Sequence, residues 1–555
     1  MTLKELINSI SKKEWRFVIL LCIVMILITG LPYVYAYLNA PAGYFYNGIH
    51  SLTPGDSLVY FSYINQVKAG NLVLRNYFTS ENQAAGLLNF FWLIVGLFAK
   101  IFYLRANLAF HIFRLLVIPL FLGLIYIFTS YFFTEKNQRK ISLIFLCFSS
   151  GIGAYFADLF DKLYPIDHVS IAIDYKWPID LFVPDFNIFL TLYQSPHFIL
   201  SLALMIAFFL LMLLAAENDN YKYSLGAGLV GFFWFNFHPF YFPYVFFIVF
   251  IYYLFLFFKT RKIKIIFYYL IALILSLPFV FYHYYKIKTD LVIGARASQN
   301  VLRSPGFLFV FLGFGFLFIF SVLAIIYLIK NKNLFKKNKY VFLFSWLVGG
   351  FLLIYSFIFY QIRFLQGLQI PMVFFTIIFF YNLLPHLKQK FAKTYKFLEA
   401  NNFLLIIIFI ILFGYSTVFN LARDLYYFKI GFVEFYLPNE FAQAVSWLKD
   451  NNVKNQVILS YEIDGNMIPS LANQRVYIAH WIETINYKEK RNKVFDFFAD
   501  RYNESQVKDF LKTNNIGYVF FTDWEKKYGQ LKPQAKDYLK LVFSQGQIDI
   551  YEVIN

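Results

Sequence analysis

Long runs of apolar residues decide what this chain can fold into. Most of them approach the roughly 20 residues that a helix needs to cross the hydrocarbon core of a bilayer. With 59% hydrophobic and 23% aromatic residues in 555, the chain has more apolar surface than a soluble fold can bury. The sequence therefore predicts a polytopic membrane protein, with apolar runs at 16–38, 84–103, 107–133, 141–157, 196–216, 223–238, 241–258, 265–285, 306–329, 340–360, 365–384 and 403–422.

Basic residues between these runs set the predicted orientation. If run 84–103 does not cross the membrane, the lysine-rich segments 136–140, 259–264, 330–339 and 388–396 share the cytoplasmic side with the N-terminal lysines. This threading predicts about eleven spanning helices, a re-entrant or interfacial helix at 84–103, and a cytoplasmic N-terminus in the inner (cytoplasmic) cell membrane. The net charge of +18 then reflects cytoplasmic loops and predicts no nucleic-acid partner.

The same threading places three long connections outside the cytoplasm, at 39–83, 158–195 and 286–305. After residue 420 the composition changes, and strands begin to alternate with helices. We therefore expect a transmembrane module at 1–422 and a soluble, extracytoplasmic α/β domain at 423–555. Its predicted helices are 438–450 and 488–512, and its predicted strands begin at residues 456, 475, 516, 541 and 548.

Asp56, in the first outer connection, is the leading candidate for chemistry. It directly precedes a predicted amphipathic helix at 57–69, where it can cap the exposed N–H groups. Alternatively it faces a polar cavity as a general base or metal ligand, because a carboxylate can take the proton from an attacking hydroxyl. A charge retained close to a bilayer is costly, which favours the functional interpretation. The apolar face of the helix is predicted to carry Leu58, Phe61, Ile64 and Val67.

Four residues are candidates for binding a phosphate group. His197 follows Ser195 and Pro196, which predict a helix start whose unpaired N–H groups attract phosphate. The guanidinium of Arg363 matches a phosphate, although it can also snorkel to lipid headgroups. Arg296, with Arg303, competes for the same role in the third outer connection.

Five further residues are candidates for binding the acceptor or a metal. Most acids of the second outer connection should be solvated loop residues, and Asp185 and Asp180 are the exceptions nearest the membrane. His238 lies in a two-proline turn, where it alternatively satisfies backbone groups at a helix break. His480 and Glu483 follow a predicted strand and are expected to shape an acceptor site, with an ordinary strand end as the alternative.

The chain contains no Walker A loop, no GxGxxG after a strand, no HExxH and no GxSxG. These absences exclude the motif-defined ATP-driven pumps, dinucleotide enzymes, zinc proteases and serine hydrolases. Both cysteines lie in apolar runs, so there is no disulfide framework and no CxxC metal site.

Taken together, these residues resemble the C-fold (GT-C) superfamily of integral-membrane glycosyltransferases, which includes protein O-mannosyltransferases, oligosaccharyltransferases and aminoarabinose transferases. The likeness rests on Pro54, Gly55 and Asp56 in a first outer loop, on the surface helices after it, on an acidic second outer loop and on the C-terminal domain. Stretches 447–451, 462–469 and 475–484 also look like bacterial members.

The resemblance implies an enzyme of the bacterial cell envelope that transfers a hexosyl or pentosyl group from a polyprenyl-phosphate donor. The acceptor is an extracytoplasmic glycan, lipid or protein, and Asp56 is the catalytic carboxylate. Many relatives carry closely spaced acids in the second loop, and this chain does not, so the need for a divalent cation (Mg or Mn) stays open. The chain also lacks a WWD-type signature, which favours transfer of a single sugar.

Two alternatives use similar residues. A transporter or flippase for lipid-linked saccharides needs the same cationic groups without a catalytic acid. Transporters commonly show internal repeats and broken helices near the midplane, and the sequence indicates neither clearly. A polysaccharide polymerase or ligase is the other alternative.

Overall fold

The computed structural model describes residues 2–83, 86–163, 176–333, 335–393, 401–432, 434–452 and 456–554. Asp167, His168 and Asp174 of the second predicted outer connection lie outside the described residues. The chain divides into two compact units. The first comprises Met1–Pro32, Phe113–Tyr282 and Val301–Leu425, and the second comprises Tyr33–Ile112, His283–Asn300 and Tyr426–Asn555.

The predicted multi-pass helical fold is confirmed. Within the described residues, 8 helices are long and apolar enough to span a bilayer, or 9 if one bent pair counts as a span. This is fewer than the predicted eleven, because runs 223–238 and 340–360 form helices of only 15 and 17 residues. The long helices are Lys12–Leu38, Ala106–Phe132, Lys136–Leu163, Pro196–Asn218, Tyr241–Thr260, Lys264–Thr289, Gln361–Lys390 and Leu404–Lys429, and the short ones are Tyr221–Phe235 and Asn338–Ile354.

Run 84–103 forms the 12-residue helix Phe90–Ile101. At about 1.5 Å per residue it is about 18 Å long, well short of a hydrocarbon core of about 30 Å. This length agrees with the prediction that the run does not cross the membrane.

Run 306–329 is a broken helix rather than one straight span. Helices Phe307–Phe314 and Phe316–Lys330 meet at 89°, and Gly315 between them has φ 52° and ψ −127°. Side chains with a Cβ rarely adopt this conformation, so the glycine permits the bend.

The second unit contains two sheets. A small antiparallel sheet pairs β1 (Tyr44–Tyr46) with β2 (Tyr436–Pro438). The larger sheet has the order β3-β4-β6-β5, formed by Val457–Leu459, Ile516–Phe521, Ile548–Val553 and Leu539–Gln545. β3 and β4 are parallel and the other pairs are antiparallel. All six residues of β4 are buried, as expected of an apolar central strand.

Helices accompany this sheet as the predicted α/β domain requires. Strand β2 and helix Asp523–Tyr528 were not predicted, and the structure differs from the prediction at two further places. The strand expected at 475–480 is wrong: only Val476 forms a bridge, with Ile458, because the chain turns at His480. Helix Glu462–Ala472 was not predicted. The other helices of the second unit are Pro54–Lys68, Phe90–Ile101, Leu291–Gln299, Asn439–Asn451, Tyr487–Phe498, Glu504–Thr513 and Asp523–Tyr528.

The helix that carries Asp56 begins at Pro54, three residues earlier than predicted, and ends at Lys68. Asp56 therefore lies in its first turn, where a negative charge favours the helix dipole, and the N-cap position belongs to Thr53. The four residues of the predicted apolar face, Leu58, Phe61, Ile64 and Val67, are at most 3% exposed. The helix also buries Ser57, Ser62 and Gln66, so its burial is not confined to that face.

Two buried carboxyl groups share one hydroxyl in the second unit. Oγ1 of Thr522 lies 2.7 Å from Oδ2 of Asp464 and 2.8 Å from Oε2 of Glu525. Burial, with the charge of Glu525, raises the pKa of Asp464 well above its ordinary value. Burial also raises the pKa of Glu525. Because the hydroxyl has a single proton to donate, one carboxyl group is best accommodated in its protonated form.

This arrangement makes the stability of the protein depend on pH. A carboxyl group whose pKa is raised by folding stabilises the fold at low pH, and that stabilisation is lost as the pH rises through the folded-state pKa. We expect the melting temperature of Asp464→Asn to fall less than that of the wild type as the pH rises above about 4, the ordinary pKa of an aspartate. Asp450→Asn, at an exposed aspartate of helix Asn439–Asn451, should follow the wild type. A parallel decline in all three proteins would contradict the prediction.

Candidate functional site

Asp56 lies beside His480 in the second unit. Nε2 of His480 is 3.4 Å from Oδ1 of Asp56, and their side chains are 9% and 25% exposed. Asp56 is thus partly sheltered while remaining accessible to a substrate. The contact requires Gly55, because a Cβ at that position would lie 2.4 Å from Cδ2 of His480.

The loop that follows His480, residues 481–484, is fixed to helix Leu291–Gln299. Nε2 of Gln299 donates to the carbonyl oxygens of Ile482 and Thr484, at 3.1 and 2.9 Å. Within the loop, the N–H groups of Glu483 and Thr484 donate to the His480 carbonyl oxygen at 3.0 and 2.8 Å. These bonds hold the chain in a turn directly after the predicted strand.

Residues of the first predicted outer connection hold the same loop. Oγ1 of Thr484 donates to the carbonyl oxygen of Phe78 at 2.7 Å. Nδ2 of Asn76 donates to the carbonyl oxygen of Glu483 at 2.8 Å. The loop therefore contacts two segments that are distant in sequence, and both contacts belong to the second unit.

Arg296 and Glu483 form an ion pair in this region, with Nη2 2.6 Å from Oε1. Nη1 of Arg296 also donates to the hydroxyl of Tyr63, at 3.1 Å, on the helix that carries Asp56. Oε2 of Glu483 is buried and has no hydrogen-bond partner within the described part of the chain. We call Asp56, Tyr63, Arg296, His480 and Glu483 the Asp56 cluster.

The charged groups of the Asp56 cluster shift one another's pKa values. Burial raises the pKa of Glu483, while the charge of Arg296 opposes this rise and that of Asp56 adds to it. Burial lowers the pKa of Arg296, but the charge of Glu483, helped by that of Asp56, outweighs burial and leaves the pKa raised. The cluster therefore holds two carboxyl groups around one guanidinium.

The first unit contains a separate polar group around Asp185. The carboxylate of Asp185 is 1% exposed. Its Oδ2 lies 3.2 Å from Nη1 of Arg363 and 3.3 Å from the hydroxyl of Tyr241. Oδ1 has no hydrogen-bond partner among the described residues. Arg363 also lies over the ring of Phe198, at 5.4 Å from its centroid.

Both predicted histidines of the first unit are buried close to each other. The rings of His197 and His238 are 4.9 Å apart. Ser195 occupies the N-cap position of helix Pro196–Asn218, as predicted, but its hydroxyl pairs with Nδ1 of His197 at 2.5 Å rather than capping the helix. Nδ1 of His238 has no partner in the described part of the chain. We call Asp185, His197, His238, Tyr241 and Arg363 the Asp185 cluster.

Asp180 has different surroundings from those of Asp185. It is fully buried in the 3₁₀ turn Ile179–Leu181, and its Oδ2 accepts the N–H of Gly153 at 3.1 Å. Burial raises its pKa to about 7. These contacts fix the local fold, and a role of Asp180 toward an acceptor or metal stays a prediction.

Over the described residues, no group of three or more His, Cys, Asp or Glu side chains is arranged to hold a metal ion. The Asp56 and Asp185 clusters each carry an arginine beside the acids, which does not fit a cation site. We therefore derive no chemical step through Mg or Mn.

The predicted site residues thus fall into two groups. Asp56, Arg296, His480 and Glu483 lie in one cluster, and Asp185, His197, His238 and Arg363 lie in the other. Sequence reasoning missed Tyr63 and Tyr241. Both are buried aromatic residues in a chain with 44 tyrosines, so composition gave no signal for either.

Fold and site together define a multi-pass membrane protein with the GT-C fold, as the resemblance predicted. Similar solved structures include those of the oligosaccharyltransferase from Archaeoglobus fulgidus. Its structure tethered to an acceptor peptide containing the NVT sequon has 13% identity and a TM-score of 0.55, over 92% of this chain and 69% of that one. The structure with an inhibitory peptide and a dolichol-phosphate has 12% identity and a TM-score of 0.56, over 92% and 70%.

The apo form of the Archaeoglobus enzyme gives a similar result, with 13% identity and a TM-score of 0.53 over 90% of this chain and 69% of that one. No protein-family profile matches this chain, and no curated protein matches it in sequence. At such low identity the likeness establishes the fold. The peptides and the dolichol-phosphate belong to the archaeal protein.

Proposed function

We propose that this protein is a membrane glycosyltransferase that moves a sugar from a polyprenyl-phosphate donor to an extracytoplasmic acceptor, with Asp56 as the catalytic carboxylate. The observation that carries the proposal is the position of Asp56. It is a partly exposed carboxylate in the first turn of a helix, in a chain with the GT-C fold, and it contacts His480.

In the proposed reaction, the carboxylate of Asp56 accepts the proton of the acceptor hydroxyl. The acceptor oxygen then bonds to the anomeric carbon of the sugar. The bond between that carbon and the donor phosphate oxygen breaks, and the electron pair leaves with the polyprenyl phosphate. A hexose or a pentose would react in the same way.

The Asp185 cluster is proposed, as a separate assignment, to bind an anionic lipid phosphate. Arg363 supplies a guanidinium with several N–H donors, of the kind that binds phosphate well. His197 and His238 add imidazole groups beside it. Nδ1 of His238 is a buried polar atom that can donate to a phosphate oxygen when it carries its proton.

The predicted topology completes the proposal. The module at 1–422 lies in the inner membrane with a cytoplasmic N-terminus, and the α/β domain at 423–555 lies outside the cytoplasm. The excess of lysines in the predicted cytoplasmic loops supports this orientation. The resemblance to bacterial members of the superfamily supports a role in the bacterial cell envelope, although the solved structures of similar fold are archaeal.

Transfer and transport are distinguished in one experiment. Purified protein is reconstituted in proteoliposomes with a labelled pool of polyprenyl-phosphate sugars and a mixture of candidate acceptors. We expect the label to move onto an acceptor and free polyprenyl phosphate to appear in equal amount. Movement of intact donor across the bilayer without either product would overturn the proposal in favour of a flippase.

A further inference from the structure

We propose that His480 is the positioning residue of Asp56: its Nε2–H faces one carboxylate oxygen and fixes the orientation of the carboxylate. This inference rests on the proposed function, because His480 would orient the same catalytic carboxylate. It also assigns a new task to His480, which the sequence predicts only as part of an acceptor site.

A backbone hydrogen bond selects the tautomer of His480. Its Nδ1 accepts the backbone N–H of Ile482 at 3.3 Å. A neutral imidazole that accepts at Nδ1 carries its proton on Nε2. Nε2 is the atom that faces Oδ1 of Asp56 at 3.4 Å. The local backbone therefore selects the tautomer that presents a donor to the carboxylate.

The ring of His480 packs closely against Gly55. The ring of His480 lies so close to the start of the Asp56 helix that only a glycine fits at position 55. Gly55 immediately precedes the carboxylate, so the same close approach brings the ring to Asp56. A side chain at this position would separate the two groups.

Hydrogen bonds from several segments hold the loop that carries His480. The residues after His480 are tied to Gln299 and to Phe78, and the imidazole is 9% exposed. The charged neighbours are also paired, since Arg296 binds both Glu483 and Tyr63. Arg296 thereby holds the Glu483 carboxylate, the other acid of the cluster.

A fixed orientation has a direct chemical consequence. A carboxylate that rotates freely meets an incoming hydroxyl in many orientations, whereas a carboxylate held by His480 meets it in one. Residues that orient a reacting group in this way typically contribute about 10-fold to 100-fold to activity. The loss should appear in kcat, because the donor-binding groups are untouched.

The test compares two variants that imitate the two nitrogens of the imidazole. In His480→Asn, the amide oxygen keeps an acceptor for the Ile482 N–H, but no donor reaches Asp56. In His480→Gln, the longer amide places a donor near the position of Nε2. We expect the Gln variant to retain most of the wild-type kcat. The Asn variant should lose about 10-fold to 100-fold in kcat at unchanged donor KM.

Gly55→Ala tests the same contact from the other side. It leaves His480 and Asp56 chemically intact, and we expect a kcat loss comparable to that of His480→Asn. Melting temperatures and gel-filtration profiles of all variants show whether the fold is retained.

The outcomes separate this inference from the function on which it rests. If the wild type forms no product, the proposed function fails. If the wild type is active and the folded Asn variant equals or exceeds the Gln variant, the positioning role of His480 is overturned. A fully active Gly55→Ala variant would also overturn it.

Discussion

Asp56→Asn should lose about 10²-fold to 10⁴-fold in the rate of sugar transfer, the range that a positioned general base contributes. Asparagine has nearly the size and shape of aspartate, but its amide does not accept the acceptor proton. The side chain is 25% exposed, so the substitution should leave the fold intact. Initial rates in proteoliposomes, with donor binding measured on the same preparations, check the prediction.

A matched control uses the same chemical change at an exposed acid. Asp450 lies on the surface near the end of helix Asn439–Asn451, and Asp450→Asn should transfer sugar at the wild-type rate. If Asp56→Asn binds donor and transfers sugar as fast as this control, Asp56 has no catalytic role. If wild type and Asp56→Asn translocate donor equally and neither forms product, the protein is a transporter.

Local patterns predicted much of the fold. Apolar runs and their spacing depend on residues close in sequence, so they located the long helices, the helix after Asp56 and strand β4. The helix that begins at Pro196 follows from the same kind of signal, a serine followed by proline. The limits of these elements were less accurate, as the early start at Pro54 shows.

Contacts between distant segments could not be read in the same way. The strand predicted at 475–480 was wrong because only Val476 bridges to β3. The N–H of Val476 donates to the carbonyl oxygen of Tyr77, and that of Ala479 donates to Oγ1 of Thr484. Arg296 and Arg363 were each chosen as phosphate ligands for their charge. The structure shows that each also has an acidic partner, Glu483 and Asp185, which no sequence spacing revealed.

The ion pair between Asp185 and Arg363 gives the largest expected effect on stability. The Asp185 carboxylate is 1% exposed, and its Oδ2 contacts Arg363 and the Tyr241 hydroxyl. In Arg363→Met the cation is lost, and of these two contacts only the one with Tyr241, at 3.3 Å, is left. Breaking a buried pair by removing one partner costs about 3–5 kcal/mol, because a charge stays buried without compensation. We expect a large drop in the melting temperature of the detergent-solubilised protein.

The double variant separates loss of the pair from loss of packing. Asp185→Asn removes the buried charge, so Asp185→Asn/Arg363→Met should melt at a higher temperature than Arg363→Met alone. Arg501→Met supplies the exposed comparison, since Arg501 and its partner Asp496 are 61% and 36% exposed and such a pair contributes at most about 1 kcal/mol. If the double variant is no more stable than Arg363→Met, the loss comes from packing of the arginine side chain. In that case the ion pair with Arg363 does not offset the cost of burying the Asp185 carboxylate.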